Sequence, residues 1–247
     1  MILKELLERS PIRIFEQSIH GGLKAGEIGV ISSQAGIGKT SVLVQLAMDK
    51  LLQGKKVIHV SFTRDGLQGQ HTSHVLSWYE DIFNEFISKK NLENAAEIKN
   101  DLVKYRVTMN FNQDGVSMNQ IVKSLRAMIV EGGFNADAVI IDGFDFLRTD
   151  KESIANVKAF AKELGISVWY SCSVKDGGPQ YDKENIPVAL SGFLEYVDIV
   201  ITLQSVAEPQ KGAGPAHIEL SISKDRDSHI TKPMAMRLDT KTLLILA

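Results

Sequence analysis

The chain has a single cysteine, Cys172, among its 247 residues, and this scarcity excludes an intramolecular disulfide. One isolated thiol is typical of a protein from a reducing compartment, so we expect a cytoplasmic location. The sequence also lacks any apolar run approaching ~18 residues, so we expect neither a transmembrane helix nor a membrane partner. The first residues, Met1 to Arg9, have the pattern of an amphipathic helix and lack the apolar core of a signal peptide.

A strong charge of either sign is also missing. The formal net charge is −2, which excludes an overall electrostatic attraction to nucleic acid or to an anionic membrane surface. Apolar residues make up 44% of the chain and charged residues 23%, as in ordinary soluble globular proteins. Because neither a linker nor a repeat divides the sequence, we predict a single domain over residues 1–247, with an N-terminal helix and lead-in at residues 1–20.

Short apolar runs alternate with segments of helical periodicity through most of the chain. This alternation predicts an α/β fold with a mostly parallel central sheet and helices on both faces. Near Ala216 the pattern changes to strands separated by turns, which predicts antiparallel strands at the C-terminal edge of the sheet. The predicted strands are Glu27–Ser32, Lys56–Phe62, Tyr105–Asn110, Ala138–Asp142, Ser167–Ser171, Asp198–Leu203, Ala216–Ser223, Pro233–Leu238 and Thr242–Leu246.

Residues 71–104 are predicted to form a helical segment between two of these strands. A stripe of large apolar side chains recurs there at helical spacing, which is typical of a core or a subunit contact rather than of a cofactor site. The stripe consists of Val75, Trp78, Tyr79, Ile82, Phe83 and Phe86.

The stretch from Ser33 to Thr40 lies between an apolar strand and a helix, which is the context of a loop that binds nucleoside triphosphates. Backbone N–H groups would hold the phosphates, Lys39 would reach the β- and γ-phosphates, and the Thr40 hydroxyl would bind Mg²⁺. Ser33 departs from the usual pattern, since glycine is expected there. The predicted nucleotide-binding residues are Ser33, Gln34, Ala35, Gly36, Ile37, Gly38, Lys39, Thr40 and Ser41.

The second half of such a site is a carboxylate at the end of a buried strand, which holds Mg²⁺ through its water shell. Asp142 follows four apolar residues and fits this role. Taken alone, Asp142 could also begin a turn before Gly143, but its combination with the phosphate loop favours the metal role.

Four further pieces of sequence accompany these two motifs, namely Gly21–Gly26, Val57–Phe62, Ile141–Leu147 and Lys224–Arg226. Together they resemble the RecA-like P-loop ATPases, and within that family the KaiC/DnaB-type group, over about residues 12–240. Lys24 stands where proline is common in the group. The resemblance implies a three-layer RecA-like P-loop NTPase fold, with antiparallel strands at the C-terminal edge of a mostly parallel sheet.

The resemblance also implies a mode of action. The cofactors would be ATP and Mg²⁺, and the chain would form a homo-oligomer, a ring or a filament, with nucleotide at the subunit interfaces. In this group a Lys-x-Arg pair reaches the γ-phosphate of the neighbouring subunit, so Lys224 and Arg226 are candidate catalytic residues beside Lys39 and Asp142. The alternative is that Lys224 and Arg226 are surface charges before a turn.

Two positions depart from the family pattern. The group usually has a glutamate after the second strand to orient the attacking water, whereas this chain has Thr63, whose hydroxyl cannot act as a general base. Asp65 could replace it if the loop folds back, or it could simply be an Asp-Gly turn residue. Ser171 and Ser173 lie where a polar residue often contacts the γ-phosphate, and either could instead be a satisfied hydroxyl at a strand end.

Three functions remain open on this basis. The first is a slow RecA-like ATPase that remodels or switches a protein partner. The second is a nucleotide-dependent assembly module that does not hydrolyse ATP, which Thr63 favours. The third is a DNA recombinase or helicase, but the predicted DNA-contacting loop, Lys175 to Pro187, is acidic on balance and disfavours nucleic acid as a partner.

Overall fold

The computed structural model describes residues 11–63, 70–88, 95–174, 180–206, 217–228 and 232–246. The helices are α1 Pro11–Ser18, α2 Lys39–Leu52, α3 Gln70–Ser88, α4 Ala95–Lys104, α5 Met118–Arg126 and α6 Lys151–Leu164. The strands are β1 Ile28–Gln34, β2 Val57–Thr63, β3 Arg106–Asn112, β4 Ala138–Asp142, β5 Ser167–Val174, β6 Ile199–Val206, β7 His217–Asp225, β8 Lys232–Asp239 and β9 Ile245–Leu246. A π-helical turn, Ala127–Glu131, follows α5, and two 3-10 helices span Phe146–Arg148 and Val188–Leu190.

All nine strands form one sheet in the order β3-β2-β4-β5-β1-β6-β7-β8-β9. The neighbouring pairs from β3 to β6 are parallel, whereas the pairs β6–β7, β7–β8 and β8–β9 are antiparallel. The predicted fold class, a mixed α/β fold with a mostly parallel sheet and antiparallel strands at its C-terminal edge, is therefore confirmed.

Helices cover both faces of the sheet, because the parallel strands are apolar on both faces. On one face, α1 to α4 pack against residues such as Ile31, Val57 and Ile140. On the other face, α5 and α6 pack against residues such as Val30, Val139 and Tyr170. The molecule thus has three layers and two apolar cores, one on each side of the sheet.

Parallel strands bring their carboxyl ends to one edge of the sheet, which we call the carboxyl edge. The phosphate loop follows β1 there, and Asp142 ends β4 at the same edge. The antiparallel β7 runs the other way, so that Lys224 pairs with Val200 near the start of β6. Lys224 and Arg226 therefore lie toward the opposite, amino edge.

The predicted strands all appear in the structure with shifts of a few residues at their ends. The predicted helical segment at residues 71–104 consists of α3 and α4. Within it Val75, Tyr79, Ile82 and Phe83 are buried in the core, as their spacing predicts. Residues 1–10 of the predicted N-terminal segment lie outside the described residues, and the single domain remains a prediction. Among the described helices, none combines the length and apolar character needed to cross a membrane.

Candidate functional site

The phosphate loop is a tight turn that depends on two glycines. Gly36 and Gly38 have φ angles of 79° and 101°, in the left-handed region that side chains with a Cβ rarely adopt. A Cβ on Gly38 would also lie 2.5 Å from Leu238 Cδ2. Ser33 belongs instead to the extended strand β1, where a side chain costs nothing. This explains why serine is acceptable at the position where glycine was expected.

Lys39 is buried and folds back over the start of the loop. Its Nζ donates hydrogen bonds to the backbone oxygens of Ser33 at 3.1 Å and Gln34 at 2.8 Å, and to Ser33 Oγ at 3.2 Å. Burial lowers the pKa of the Lys39 ammonium, and the nearby Asp142 carboxylate opposes this shift. The ammonium is thus held at the loop by neutral acceptors that a phosphate could replace.

Thr40 and Asp142 meet across the site. Thr40 Oγ1 donates a hydrogen bond to Asp142 Oδ2 at 2.8 Å, although the two residues are 102 positions apart. Asp142 pairs in register with Ser61 of β2, whose side chain lines the same cleft. The oxygens of Thr40 and Asp142 are the ligand type that Mg²⁺ prefers, so these two residues fit the metal role predicted for them.

An open cleft of about 540 Å³ adjoins these groups at the carboxyl edge. It is large enough for a small-molecule ligand. Its walls come from several elements: Ala35, Gly36, Gly38, Lys39, Thr40, Ser41, Ser61, Phe62, Val75, Trp78, Gln113, Asp142, Gly143, Ser171, Ser173 and Leu243. Sequence reasoning missed Trp78, Gln113 and Leu243 as cleft residues, because no local motif marks positions that the fold brings together.

Not every residue predicted to bind nucleotide faces this cleft. Gln34 Nε2 donates to Gln180 Oε1 at 3.2 Å, and Ile37 packs against the apolar core. The buried hydroxyl of Ser41 donates to the backbone oxygen of Leu243 at 2.5 Å. Ser41 is one of the residues that line the cleft, and its side chain connects α2 to Leu243 near the C-terminus.

The hairpin formed by β8 and β9 is hydrogen-bonded to the first turns of α2. Gln45 Nε2 donates to the Leu243 oxygen at 2.9 Å, and Gln45 Oε1 accepts the Ile245 N–H at 2.8 Å. Leu243 itself adopts a φ of 54°, an unusual value for a leucine. These contacts connect the phosphate loop to residues about two hundred positions later.

The end of β5 lies beside the loop that follows Asp142. The Gly143 N–H donates to Ser171 Oγ at 2.7 Å, so Ser171 has a structural partner at the strand end. Ser173 is exposed and lines the cleft. Burial raises the pKa of the Cys172 thiol to about 12, which agrees with an inert cysteine.

A buried polar cluster lies on the same sheet face, around His59, two residues before Ser61 in β2. His59 Nδ1 is 3.0 Å from the Tyr79 hydroxyl, and the Arg106 guanidinium lies 4.0 Å from the centre of the Tyr79 ring. His59 Nε2 has no hydrogen-bond partner among the described residues. Burial lowers the His59 pKa to about 4, although the Asp142 carboxylate acts in the opposite direction.

Two positions were considered for the catalytic base, and the structure describes one of them. Thr63 is the last residue of β2 and pairs in register with Asn112 of β3. Asp65, the possible substitute, lies outside the described residues. The catalytic assignment of Asp65 therefore remains a prediction.

Lys224 and Arg226 are engaged within their own chain. Lys224 Nζ donates to the backbone oxygens of Val197 at 2.7 Å and Arg226 at 2.6 Å. Arg226 forms two 2.9 Å hydrogen bonds with the Glu27 carboxylate and another with Asp225 at 2.6 Å. Because the pair lies at the amino edge, it cannot reach the phosphate loop of the same chain, and its catalytic role remains a prediction.

No family model matches the chain. A stretch of 61 residues, 25% of this chain, is 34% identical to the DNA repair protein RadA of Aquifex aeolicus (strain VF5). The stretch spans 14% of the length of RadA, so the similarity concerns a small part of that protein. This similarity and the mostly parallel sheet are together compatible with a RecA-like P-loop fold, whereas the KaiC/DnaB-type branch remains a prediction.

Proposed function

We propose that the chain is a RecA-like P-loop ATPase that binds ATP with Mg²⁺ and hydrolyses it slowly within a homo-oligomer. The observation that carries this proposal is the 2.8 Å contact between Thr40 of the phosphate loop and Asp142 of β4. It brings together the two oxygen ligands that such a site needs, beside an open cleft and a buried lysine. The similarity to RadA supports the same family at a coarse level.

Each residue of the site has a part in binding. The loop amides from Ala35 to Thr40 would surround the phosphates at the N-terminus of α2. Lys39 would exchange its acceptors in β1 for phosphate oxygens, and Thr40 and Asp142 would hold Mg²⁺, with Asp142 acting through a water. The bound ion would neutralise charge that develops on the phosphate oxygens.

Hydrolysis needs more than binding, because a water must be oriented for attack on the γ-phosphoryl group. Thr63 stands where the resemblance predicts a glutamate, and a hydroxyl is far too weak a base near neutral pH. Loss of a general base typically slows a reaction by about 10²–10⁴-fold. We therefore infer binding of ATP with slow turnover, used to remodel or switch a protein partner.

The test measures equilibrium ATP binding and steady-state phosphate release with Mg²⁺ for the native chain and for Thr63→Glu. We expect the native chain to bind ATP with phosphate release near the detection limit. Thr63→Glu should raise the rate at least ~10-fold, because it supplies the missing base. The double variant Lys39→Ala/Thr63→Glu controls for contaminating ATPases and should return to the background rate.

Two other results would change the conclusion. Brisk turnover by the native chain would show that the interpretation of Thr63 is wrong and that Asp65 or a neighbouring subunit supplies the base. Tight ATP binding without turnover in either protein would favour the second candidate, a nucleotide-dependent assembly module. A DNA-binding function is less supported, because the described part of the loop after β5 carries Asp182 and Glu184 against Lys183.

A further inference from the structure

The nucleotide cleft continues past Asp142 to the ends of β2 and β3. Ser61 and Phe62 of β2 line this part of the cleft, and so does Gln113, the first residue after β3. In the sheet, β2 and β3 lie on one side of β4, whereas β1 and its phosphate loop lie on the other side. We call the part of the cleft between Asp142 and Gln113 the far end.

The far end is the side from which water would attack a bound nucleoside triphosphate. Thr40 and Asp142, joined at 2.8 Å, mark the place of a metal ion that bridges the β- and γ-phosphates. The attacking and leaving oxygens lie roughly in line in phosphoryl transfer, so the water stands opposite the rest of the nucleotide. Since the other phosphates would follow the loop between Gly36 and Thr40, the water would lie toward β2 and β3.

The other polar side chains of the cleft wall are engaged elsewhere or lie outside the far end. The Ser61 hydroxyl donates to Asn110 Oδ1 at 3.3 Å, and the Ser171 hydroxyl accepts a backbone N–H at 2.7 Å. Ser173 pairs in register with β1, so it lies on the loop side of the cleft. The Trp78 indole is a donor only and cannot accept a hydrogen bond from water.

Gln113 has both the position and the chemistry to hold a water at the far end. It is partly buried, and its side-chain amide makes no hydrogen bond to the other described residues. Thr63, the last residue of β2, pairs in register with Asn112, so Gln113 begins beside the end of β2. Neighbouring strands lie ~4.8 Å apart, a distance that a glutamine side chain can span. Its amide offers an acceptor oxygen together with donor N–H groups.

We propose that Gln113 orients the attacking water, an inference that rests on the proposed ATPase function. Gln113 Oε1 accepts a hydrogen bond from the water, which turns a lone pair of the water oxygen toward the γ-phosphorus. The new P–O bond forms as the bond from the γ-phosphorus to the β,γ-bridging oxygen breaks, and that electron pair leaves with ADP. A proton of the water passes to a γ-phosphate oxygen, giving ADP and H₂PO₄⁻, because the amide is not a base. Orientation without a base agrees with slow turnover.

The first test measures the binding of methylanthraniloyl-ADP with Mg²⁺ by fluorescence, with and without aluminium fluoride, which imitates the transferring phosphoryl group. Aluminium fluoride should tighten binding to the native chain, as expected of a transition-state analogue. Gln113→Ala should bind ADP alone as the native chain does, but its tightening should be about tenfold smaller, because the contact with the water is made only in the analogue complex. This measurement does not depend on turnover.

The second test measures single-turnover phosphate release at saturating ATP. Gln113→Glu should accelerate release ~10-fold or more, since a carboxylate that contacts the water adds a base, whereas Gln113→Ala should not exceed the native rate. Asp114→Ala is the matched control, because Asp114 is the next residue of the same turn but lines a neighbouring groove and pairs with Arg148 at 2.5 Å. It should leave both measurements unchanged.

Undiminished tightening in Gln113→Ala, an equal loss in Asp114→Ala, or a native rate in Gln113→Glu would each overturn the role of Gln113. So would a native chain that binds ADP but is not tightened by aluminium fluoride. Absence of ADP binding by the native chain is a different result, since it would contradict the proposed function and the inference with it.

Discussion

At the scale of single residues, the phosphate loop shows how backbone conformation restricts sequence. Gly38 combines a left-handed φ of 101° with a Cβ position 2.5 Å from Leu238 Cδ2, so two independent constraints require glycine. Gly36 has a φ of 79° but open space around its Cβ position, so only the backbone constraint applies. Ser33 has neither constraint, because it lies in β1.

His59 makes folding stability depend on pH. Its imidazole is fully buried against Tyr79, with Arg106 and Asp142 nearby, and burial lowers its pKa from 6.5 to about 4. The unfolded chain therefore binds a proton more readily than the folded chain between these two values. The contribution of the neutral, buried His59 to the free energy of unfolding is fully present above pH 6.5 and is lost as the pH falls toward about 4. The loss amounts to about 3 kcal/mol at most.

We expect His59→Gln to flatten this part of the pH profile, because the amide can still contact the Tyr79 hydroxyl but does not titrate. The measurement is urea unfolding of both proteins at several pH values between 7 and 4 (a range set by the ~6.5 reference pKa of histidine). Carboxylates titrate in the same range, so the difference between the two proteins is the quantity to examine. Parallel profiles would contradict the role assigned to His59.

At the scale of elements, the C-terminal hairpin stabilises the helix that presents the phosphate loop. Gln45 is 1% exposed and joins α2 to both Leu243 and Ile245. The Gln45 side chain accepts the Ile245 N–H and shares the Leu243 oxygen with the Ser41 hydroxyl, so it helps to satisfy two backbone groups of the hairpin. The antiparallel extension of the sheet thus supports the nucleotide site directly.

Gln45→Ala should lower the free energy of unfolding by about 1–3 kcal/mol, because the Ile245 N–H loses its Gln45 acceptor while the Leu243 oxygen keeps the Ser41 hydroxyl. It should also weaken ATP binding, since the first turns of α2 are no longer held. Gln53→Ala is a suitable control, because Gln53 follows the last turn of the same helix and its side chain donates to Asp49 rather than to the hairpin. Urea unfolding and ATP titration measure both effects, and equal losses in the two variants would argue against a special role of the hairpin.

The sequence predicted the elements better than their mutual contacts. Apolar runs marked the strands and the helical stripe marked α3, because these signals are local and periodic. The hydrogen bond between Gln45 and Ile245 joins residues 200 positions apart, and no local sequence pattern indicates it. For the same reason the site motifs at Lys39, Thr40 and Asp142 were recognisable, whereas Trp78 and Leu243 were not predicted to line the cleft.

At the scale of the whole molecule, the sheet separates two groups of candidate catalytic residues. Lys39 and Asp142 lie at the carboxyl edge, whereas Lys224 and Arg226 lie at the amino edge, roughly 20 Å away along the strands. One molecule cannot bring the two groups together. If Lys224 and Arg226 take part in catalysis, they act on the nucleotide of a neighbouring subunit.

Mixing two inactive variants tests this arrangement. Lys39→Ala lacks a working phosphate loop and Arg226→Ala lacks the predicted partner for the neighbour's phosphate. We expect each to be inactive alone and the mixture to recover phosphate release in single-turnover assays, because some interfaces combine an intact loop with an intact arginine. Failure to recover, with a lowered melting temperature of Arg226→Ala, would show that Arg226 mainly holds Glu27 and Asp225 in its own chain.

The placement of Trp78 in the wall of the nucleotide cleft has an optical consequence. The chain contains two tryptophans, and the other, Trp169, is 4% exposed in the core beneath α2. Ligand entering the cleft changes the surroundings of one indole and leaves the other shielded. Intrinsic emission is therefore a label-free signal of occupancy, and Trp78→Phe leaves Trp169 as its constant background.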